Sequence, residues 1–338
     1  MQKVIVWGTG NTYRINLSWI KRQEELGKIE IIALVNKSEE RIHDGYNVIR
    51  SNDIACLEFD LIIVCAEGQM AADIYNEIEL LGIDSDRVCC IEDYIISTNA
   101  EVAKLHNDIV DRQINVIKEI LMAEDYQIRD EKWMRERICE YGVYPFEDMR
   151  NLTSIIGSEA ADKGWGVLQI PEEFAGFLCK ISELEIETAA EVGVFKGRSS
   201  YLMCAVLSRT GKLKDYLCID IYDNLDCFDR FASVLPALKK KIPSTSIEYI
   251  GCAFDFVFID ADHSYDGSID DYNNIGKYAK KITAFHDIYG HEYDHLNGGT
   301  VRTWREVMDD TPGKKHIVFS KYPDEWMGIG AVIWDEES

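Results

Sequence analysis

The chain of 338 residues is short of positive charge, with 36 Lys and Arg against 60 Asp and Glu and a formal net charge of −24. Such a surface repels phosphate backbones and anionic lipid head groups, which argues against nucleic acid as a partner. No apolar run approaches the roughly 18 residues of a membrane span, and no basic segment precedes an apolar stretch near the start, so neither a span nor a leader is expected. None of the ten cysteines stands in a C-x-x-C pair, and several lie inside apolar runs as small hydrophobes do. That usage points to a reducing compartment, and a cytoplasmic location is expected. No internal repeat or low-complexity tract is visible.

What is present is an ordinary globular composition, 46% hydrophobic and 28% charged, which excludes a disordered, collagen-like or fibrous chain. At about 150 residues per domain the length fits two domains. The fold class expected is α/β, with two Rossmann-like parallel-sheet domains joined by a helical linker.

Residues 1–97 alternate apolar runs with helix-like stretches, as parallel sheets with crossover helices do. The runs Val4 to Trp7, Ile29 to Val35, Leu61 to Ala66 and Val88 to Ile91 are expected strands; Asn16 to Leu26 and Ala71 to Leu81 are expected helices. Residues 98–170 read as linker and cap. Within them Val102, Leu105, Ile109, Val110, Ile114, Ile117 and Leu121 recur at a 3–4 spacing, so this helix either lies along one domain, the preferred reading, or forms the seam of a homodimer. The stretch from about 124 to 170 reads as an ordered, irregular bridge or substrate-side cap.

From residue 171 the α/β pattern resumes. A helix is expected at Glu172 to Leu184, and strands at Thr188 to Val194, Tyr216 to Ile221, Phe254 to Ile259, Ile282 to His286, Lys315 to Ser320 and Gly328 to Trp334. Ser246 to Ile250 reads as a further, third strand of this half. Only Gly251 to Ala253 would then separate it from the next strand, too few for a parallel crossover. On this reading the helix that would cover an adenine is missing or supplied elsewhere.

Each half carries a glycine turn after its first strand. Gly8-Thr9-Gly10 stands where a backbone without Cβ can approach a phosphate at a helix N-terminus. It lacks the third glycine of a dinucleotide fingerprint, having Tyr13 there, and the second strand ends in Asn36 and Lys37 instead of an acid. A turn that only packs, a nucleotide or nucleotide-sugar site and a nicotinamide site all remain open for Gly8 and Gly10. The second turn, EVGVFKGRSS over residues 191–200, places Glu191 at the strand end, Gly193 and Gly197 four apart with Phe195 between them, and Ser199 at the start of a helix. Such a turn can hold a carboxylate on Ser199 and backbone N–H groups. Asp220 closes the next strand, where an acid can accept the hydroxyls of a ribose. Together they specify an adenosyl ligand better than the first turn does.

Acids and histidines gather at two further strand ends. Asp260-Ala261-Asp262-His263 follows Phe254 to Ile259, and His286-Asp287 follows Ile282 to Phe285. Neighbouring strands lie only about 4.8 Å apart, so ligands delivered from two of them can converge on one cation. His291 and His295 read as solvated loop residues, and Asp262 and Tyr265 as supports through hydrogen bonds or a turn.

Through EVGVFKGRSS, CIDIYD, FDFVFIDADHSYDG and AFHDIYG, residues 165–335 resemble the class I S-adenosylmethionine-dependent methyltransferases, and within them the metal-dependent O-methyltransferases of the catechol and macrolide-sugar types. The resemblance implies a seven-stranded sheet with one antiparallel strand, in a domain over 171–338, and methyl transfer to a hydroxyl. It implies S-adenosylmethionine against Glu191, Gly193, Phe195, Gly197, Ser199, Asp220 and Asp260, a divalent metal such as Mg²⁺ or Mn²⁺ on Asp260, His286 and Asp287, and His263 as general base. It departs at His286, where relatives usually carry a carboxylate. Either the metal differs, since imidazole suits Mn²⁺, Fe²⁺ or Zn²⁺ better than Mg²⁺, or His286 is a second base or faces the substrate. Residues 3–95, through WGTG, VNKS, GYNVI and FDLIIVCA, resemble the N-terminal Rossmann-like domain of bacterial sugar acyltransferases and of some sugar-modifying methyltransferases.

The function expected is therefore O-methylation of a sugar or sugar-conjugate hydroxyl, a small molecule or glycan, in carbohydrate biosynthesis. Two alternatives stand beside it: a nicotinamide-dependent sugar oxidoreductase or epimerase using the first domain, and a noncatalytic binding protein of a polysaccharide pathway.

Overall fold

A computed structural model describes residues 1–37, 41–143, 165–323 and 325–334. Ser38 of VNKS and the central part of the expected bridge, 144–164, lie outside them. By contacts the chain divides into two units, the first ending at Asn107 and the second starting at Asp108.

In the N-terminal unit β1 (Gln2–Trp7) leads through the first glycine turn to α1 (Asn11–Glu25) and β2 (Ile29–Val35). A hairpin follows, β3 (Ile42–His43) and β4 (Tyr46–Ile49), then β5 (Leu61–Val64), α2 (Gly68–Leu80), β6 (Val88–Cys90) and α3 (Ile91–Thr98). The sheet order is β3-β4-β2-β1-β5-β6, parallel except where β3 meets β4. α1 turns Tyr13, Asn16, Ile20 and Gln23, a 3–4 spacing, to the inside. The β1 and β5 runs are apolar without alternation because both faces of the sheet are covered.

The unit boundary falls within α4 (Ala100–Met122), which α5 (Asp125–Ile128) and α6 (Glu131–Tyr141) follow. Val110, Val116, Ile117 and Ile120 of α4 are buried in the main core of the C-terminal unit, with Phe177, Tyr201 and Phe256. Of the apolar stripe, Val110 and Ile117 lie in this core and Ile114 and Leu121 pack against it, while Leu105 is exposed. After residue 165 come α7 (Pro171–Ser182), β7 (Thr188–Val192), α8 (Arg198–Ser208), β8 (Asp215–Ile219), α9 (Phe228–Ala232), β9 (Leu238–Lys241), β10 (Phe256–Ile259), α10 (Tyr265–Asn274), β11 (Ile282–Tyr289), α11 (Gly299–Asp310), β12 (Lys315–Phe319) and β13 (Met327–Ile333).

The seven strands run in the order β12-β13-β11-β10-β7-β8-β9. β13 is antiparallel to both its neighbours and the other pairings are parallel, the arrangement of the class I methyltransferase fold. The central strand β10, Phe-Val-Phe-Ile, is buried throughout. One expectation is corrected. The third strand is Leu238–Lys241, and Ser246–Tyr249 is a 3-10 turn. The crossover to β10 therefore occupies residues 242–255, enough for the roughly dozen residues such a connection needs. The strand was hidden by its composition: β9 lies at the sheet edge, and its three lysines are the charged residues that edge strands use to discourage further pairing.

Candidate active site

The carboxyl ends of β8, β7, β10 and β11 lie side by side in the sheet, and every residue expected at the second glycine turn or in the acid and histidine groups sits on or just beyond them. At the β7 turn Gly193 has φ +82°, and a Cβ there would stand 2.2 Å from the Asp260 carbonyl oxygen. Glycine is therefore needed to let this turn close onto the end of β10. Gly197 adopts the left-handed conformation too, and a side chain on it would meet Tyr201 and Leu225.

Glu191 is fully buried. Ser199 Oγ donates to its Oε1 at 3.0 Å and the Tyr216 hydroxyl donates to its Oε2 at 2.7 Å. Burial pushes this carboxyl up to about 7 despite those hydrogen bonds. Ser199 is consequently engaged by Glu191 in this structure. Asp220 braces the turn: its Oδ2 accepts from the Val194 and Phe195 amides at 2.9 and 3.1 Å, and its Oδ1 accepts from Ile221 N at 2.7 Å. A carboxylate offers about four acceptor positions, so one remains for an outside hydroxyl, where the sequence suggested both hydroxyls of a ribose. Phe195, at φ +47°, is 41% exposed beside it and presents an apolar face at the strand edge.

Asp260, His286 and Asp287 come together, each offering a ligand atom within 4.8 Å of the others. The local backbone explains how adjacent residues share one site. Along a regular strand His286 and Asp287 would point to opposite faces. Here the register between β11 and β13 shifts after His286 and Asp287 takes φ +56°, a bulge that redirects side chains. His286 Nδ1 then lies 3.4 Å from Asp260 Oδ1 and from Asp287 Oδ1. His263, carried by the turn before α10, lies with its Nε2 3.1 Å from Asp287 Oδ2 and 3.6 Å from Asp260 Oδ1.

Burial disfavours charge on Asp260, His263 and His286, and the attraction between opposite charges overcomes it. The Asp260 carboxyl is held below the usual carboxylate range by the two histidines, and both histidines are held above theirs by the two carboxylates.

Three residues that sequence reasoning passed over also belong here. Tyr293 stacks on the His263 ring, with centroids 4.5 Å apart and planes within 6°. Burial and Asp287 raise its hydroxyl above the ordinary range. It sits between His291 and His295 in the loop whose histidines drew attention, and those two are exposed and bond to loop neighbours through Asp294 and the Glu292 carbonyl. Gln169 Nε2 donates to Asp260 Oδ2 at 3.3 Å. Glu173, buried on α7, accepts from the Lys321 and Gly328 amides and adds a further carboxyl near His286 and Asp287. Asp262 accepts from Ser264 N and shapes the turn, whereas Tyr265 donates to Glu306 on α11.

The first glycine turn belongs to the N-terminal unit. Gly8 has φ +101° and a Cβ there would stand 2.7 Å from the Cys65 carbonyl oxygen, so the contact with the end of β5 accounts for glycine at this position. Gly10 has open space around it, and nearby Asn36 Nδ2 donates to Thr9 Oγ1 at 2.8 Å.

Residues 190–288, which include Glu191, Asp220, Asp260, His263, His286 and Asp287, match the family model described as a methyltransferase domain. The C-terminal unit thus contains a methyltransferase domain. Residues 1–89 match a separate model, the N-terminal domain of C2185-like proteins. No curated protein matches the chain. Among solved structures, the methyltransferase domain is similar to an O-methyltransferase from Bacillus cereus in complex with SAH, at 16% identity over 54% of this chain and 90% of that one, with a TM-score of 0.38. It is similar to the SAH-bound Podospora anserina methyltransferase PaMTH1 at 13% identity, over 60% and 94%, with a TM-score of 0.37. A third is the O-methyltransferase TomG from Streptomyces achromogenes, in complex with SAM, at 15% identity over 49% and 81%, with a TM-score of 0.34. What those proteins bind is a property of theirs.

Proposed function

We propose that the methyltransferase domain transfers the methyl group of S-adenosylmethionine to a hydroxyl of a sugar or sugar conjugate, with a divalent cation assisting. The observation that carries this reading is the meeting of Asp260, His286, Asp287 and His263 at strand ends next to the β7 glycine turn. A donor at that turn would find Asp220 with one acceptor position open, the exposed Phe195 ring and the buried Glu191 behind.

Two carboxylates and one imidazole nitrogen suit a divalent ion, and the nitrogen favours Mn²⁺ or Fe²⁺ over Mg²⁺. Such an ion lowers the pKa of an acceptor hydroxyl and orients it. Because a sulfonium methyl is already activated, the protein's own task is alignment and removal of one proton. His263 Nε2 is the atom assigned to take it. Facing Asp260 and Asp287 alone, that imidazole retains its own proton. It works as a base once those carboxylates are neutralised. The Tyr293 ring fixes the plane of His263 and walls one side.

A neutral acceptor fits this field better than an anionic one, since Asp260, Asp287 and a formal charge of −24 all repel anions. A sugar diol meets that requirement. The N-terminal unit is assigned a nucleotide or nucleotide-sugar at the carboxyl edge of β1, β2 and β5, supported by the open ground at Gly10 and by the Asn36 and Thr9 side chains.

The test is transfer from S-adenosylmethionine to a panel of neutral glycosides and nucleotide sugars, read by mass spectrometry. Methylation of at least one sugar is expected, lost on exhaustive chelation and restored by Mn²⁺. His263→Ala should lower the rate by about 10²–10⁴-fold with donor affinity unchanged. Activity that survives chelation removes the cation from the reading, and unchanged turnover in His263→Ala removes the base.

A further inference from the structure

Gln169 is held where it cannot swing away from the acid and histidine centre. The segment that carries it is tied down on both sides: Gln113 Nε2 donates to the Trp165 carbonyl at 2.8 Å and Val167 N donates to the Gly142 carbonyl at 3.0 Å. Gly166 passes so close to Gly142 that a Cβ would stand 2.6 Å from it. Trp165, Val167 and Ile170 are buried, and Pro171 opens α7 immediately afterwards.

The Gln169 side chain is 3% exposed and its two ends have different fates. The amide nitrogen donates to Asp260 Oδ2. The amide oxygen is shielded from water and, among the described residues, accepts no hydrogen bond. A buried carbonyl left in this state is costly, and such groups are rare. Among the described residues no donor bonds to it, its charged neighbour Asp260 is itself electron-rich, and the ion pairs of Asp260 and Asp287 there are with His263 and His286 only. What such an oxygen lacks is an electron-pair acceptor, and amide carbonyls join carboxylates as ligands of hard divalent cations.

We propose that the Gln169 amide oxygen is a further donor to the divalent cation assigned to Asp260, His286 and Asp287, which would then have two carboxylates, one imidazole nitrogen and one neutral amide oxygen. This rests on the cation reading above. The mixed, mainly oxygen set selects an ion of the Mn²⁺ class over one that favours sulfur or nitrogen. It also gives the irregular segment before α7 a place in the site that no motif announces.

The experiment is a titration of the full chain with Mn²⁺ in the absence of donor and acceptor, with free Mn²⁺ read by electron paramagnetic resonance. Gln169→Leu, which keeps the bulk and removes both amide groups, should weaken Mn²⁺ binding by about tenfold or more. Gln169→Glu separates a ligand from a residue that merely orients Asp260. It replaces the NH₂ donor by a second oxygen, so a ligand role predicts tighter Mn²⁺ binding than in the wild type and an orienting role predicts weaker binding. Wild-type binding with Gln169→Leu unchanged, or with Gln169→Glu unchanged or weakened, overturns the proposal and leaves the cation centre standing. A wild-type chain that takes up no Mn²⁺ overturns the cation centre itself, and this inference with it. Should Gln169→Leu fail to fold, Gln169→Glu decides alone.

Discussion

Glu191 shows how much a single buried side chain can reveal. It was recognisable from sequence as a strand-end acid, but its state was not, because that depends on complete burial and on the hydroxyls of Ser199 and Tyr216. With its carboxyl raised from 4.5 to about 7, the folded chain binds a proton there that the unfolded chain has lost. The stability this brings is present in full below about 4.5 and disappears as pH rises through about 7. Its size is on the order of 3 kcal/mol. Glu191→Gln should remove that share of the slope, so urea unfolding of wild type and variant across the range from about pH 5 to pH 8 should show wild-type stability falling faster. Parallel profiles would mean that Glu191 is ionised in the folded protein. Asp271, raised to about 6 by burial, slopes the same way in both proteins and cancels from the difference. At this scale Asp260, His263, His286 and Asp287 were legible because acids and histidines at strand ends announce themselves, whereas Tyr293 and Gln169 come from irregular segments where no periodicity marks a side chain as facing a site.

Among the elements, apolar strands such as β10 were visible as continuous runs, and β9 was not, since three lysines on an edge strand satisfy the rules for avoiding aggregation better than those for burying surface. The bulge at Asp287 was equally invisible, because a strand read from its residues alone sends His286 and Asp287 to opposite faces. For α4 the sequence pattern allowed both a dimer seam and a packed helix, and the enclosure of Val110, Val116, Ile117 and Ile120 by the C-terminal core supports the packed helix over its second half. Ile117→Ala, a deletion at a site with no exposure, should cost about 2–5 kcal/mol in chemical denaturation. Sedimentation should show the oligomeric state unchanged. A dissociated oligomer with little loss of stability would instead show that the stripe is shared between copies.

For the molecule as a whole, alternation of apolar runs and helical stretches sufficed to show two α/β units, because parallel strands need crossovers and crossovers leave that rhythm. A seven-stranded sheet with one antiparallel strand was implied by the resemblance of the C-terminal half, whereas the strand order, with Leu238–Lys241 at its edge, came from the structure. The acceptor is a different matter, since it depends on the shape of the site and not on the identity of strand-end residues. What joins the scales is one claim, that the donor methyl group sits beside a cation held by Asp260 and Asp287. The most direct measurement is nuclear relaxation of isotopically labelled donor methyl in S-adenosylmethionine bound to the full chain, compared between Mn²⁺ and Mg²⁺. The account predicts that Mn²⁺ strongly broadens the methyl resonance and that chelation restores it. A bound donor whose methyl signal is the same with either ion would contradict it.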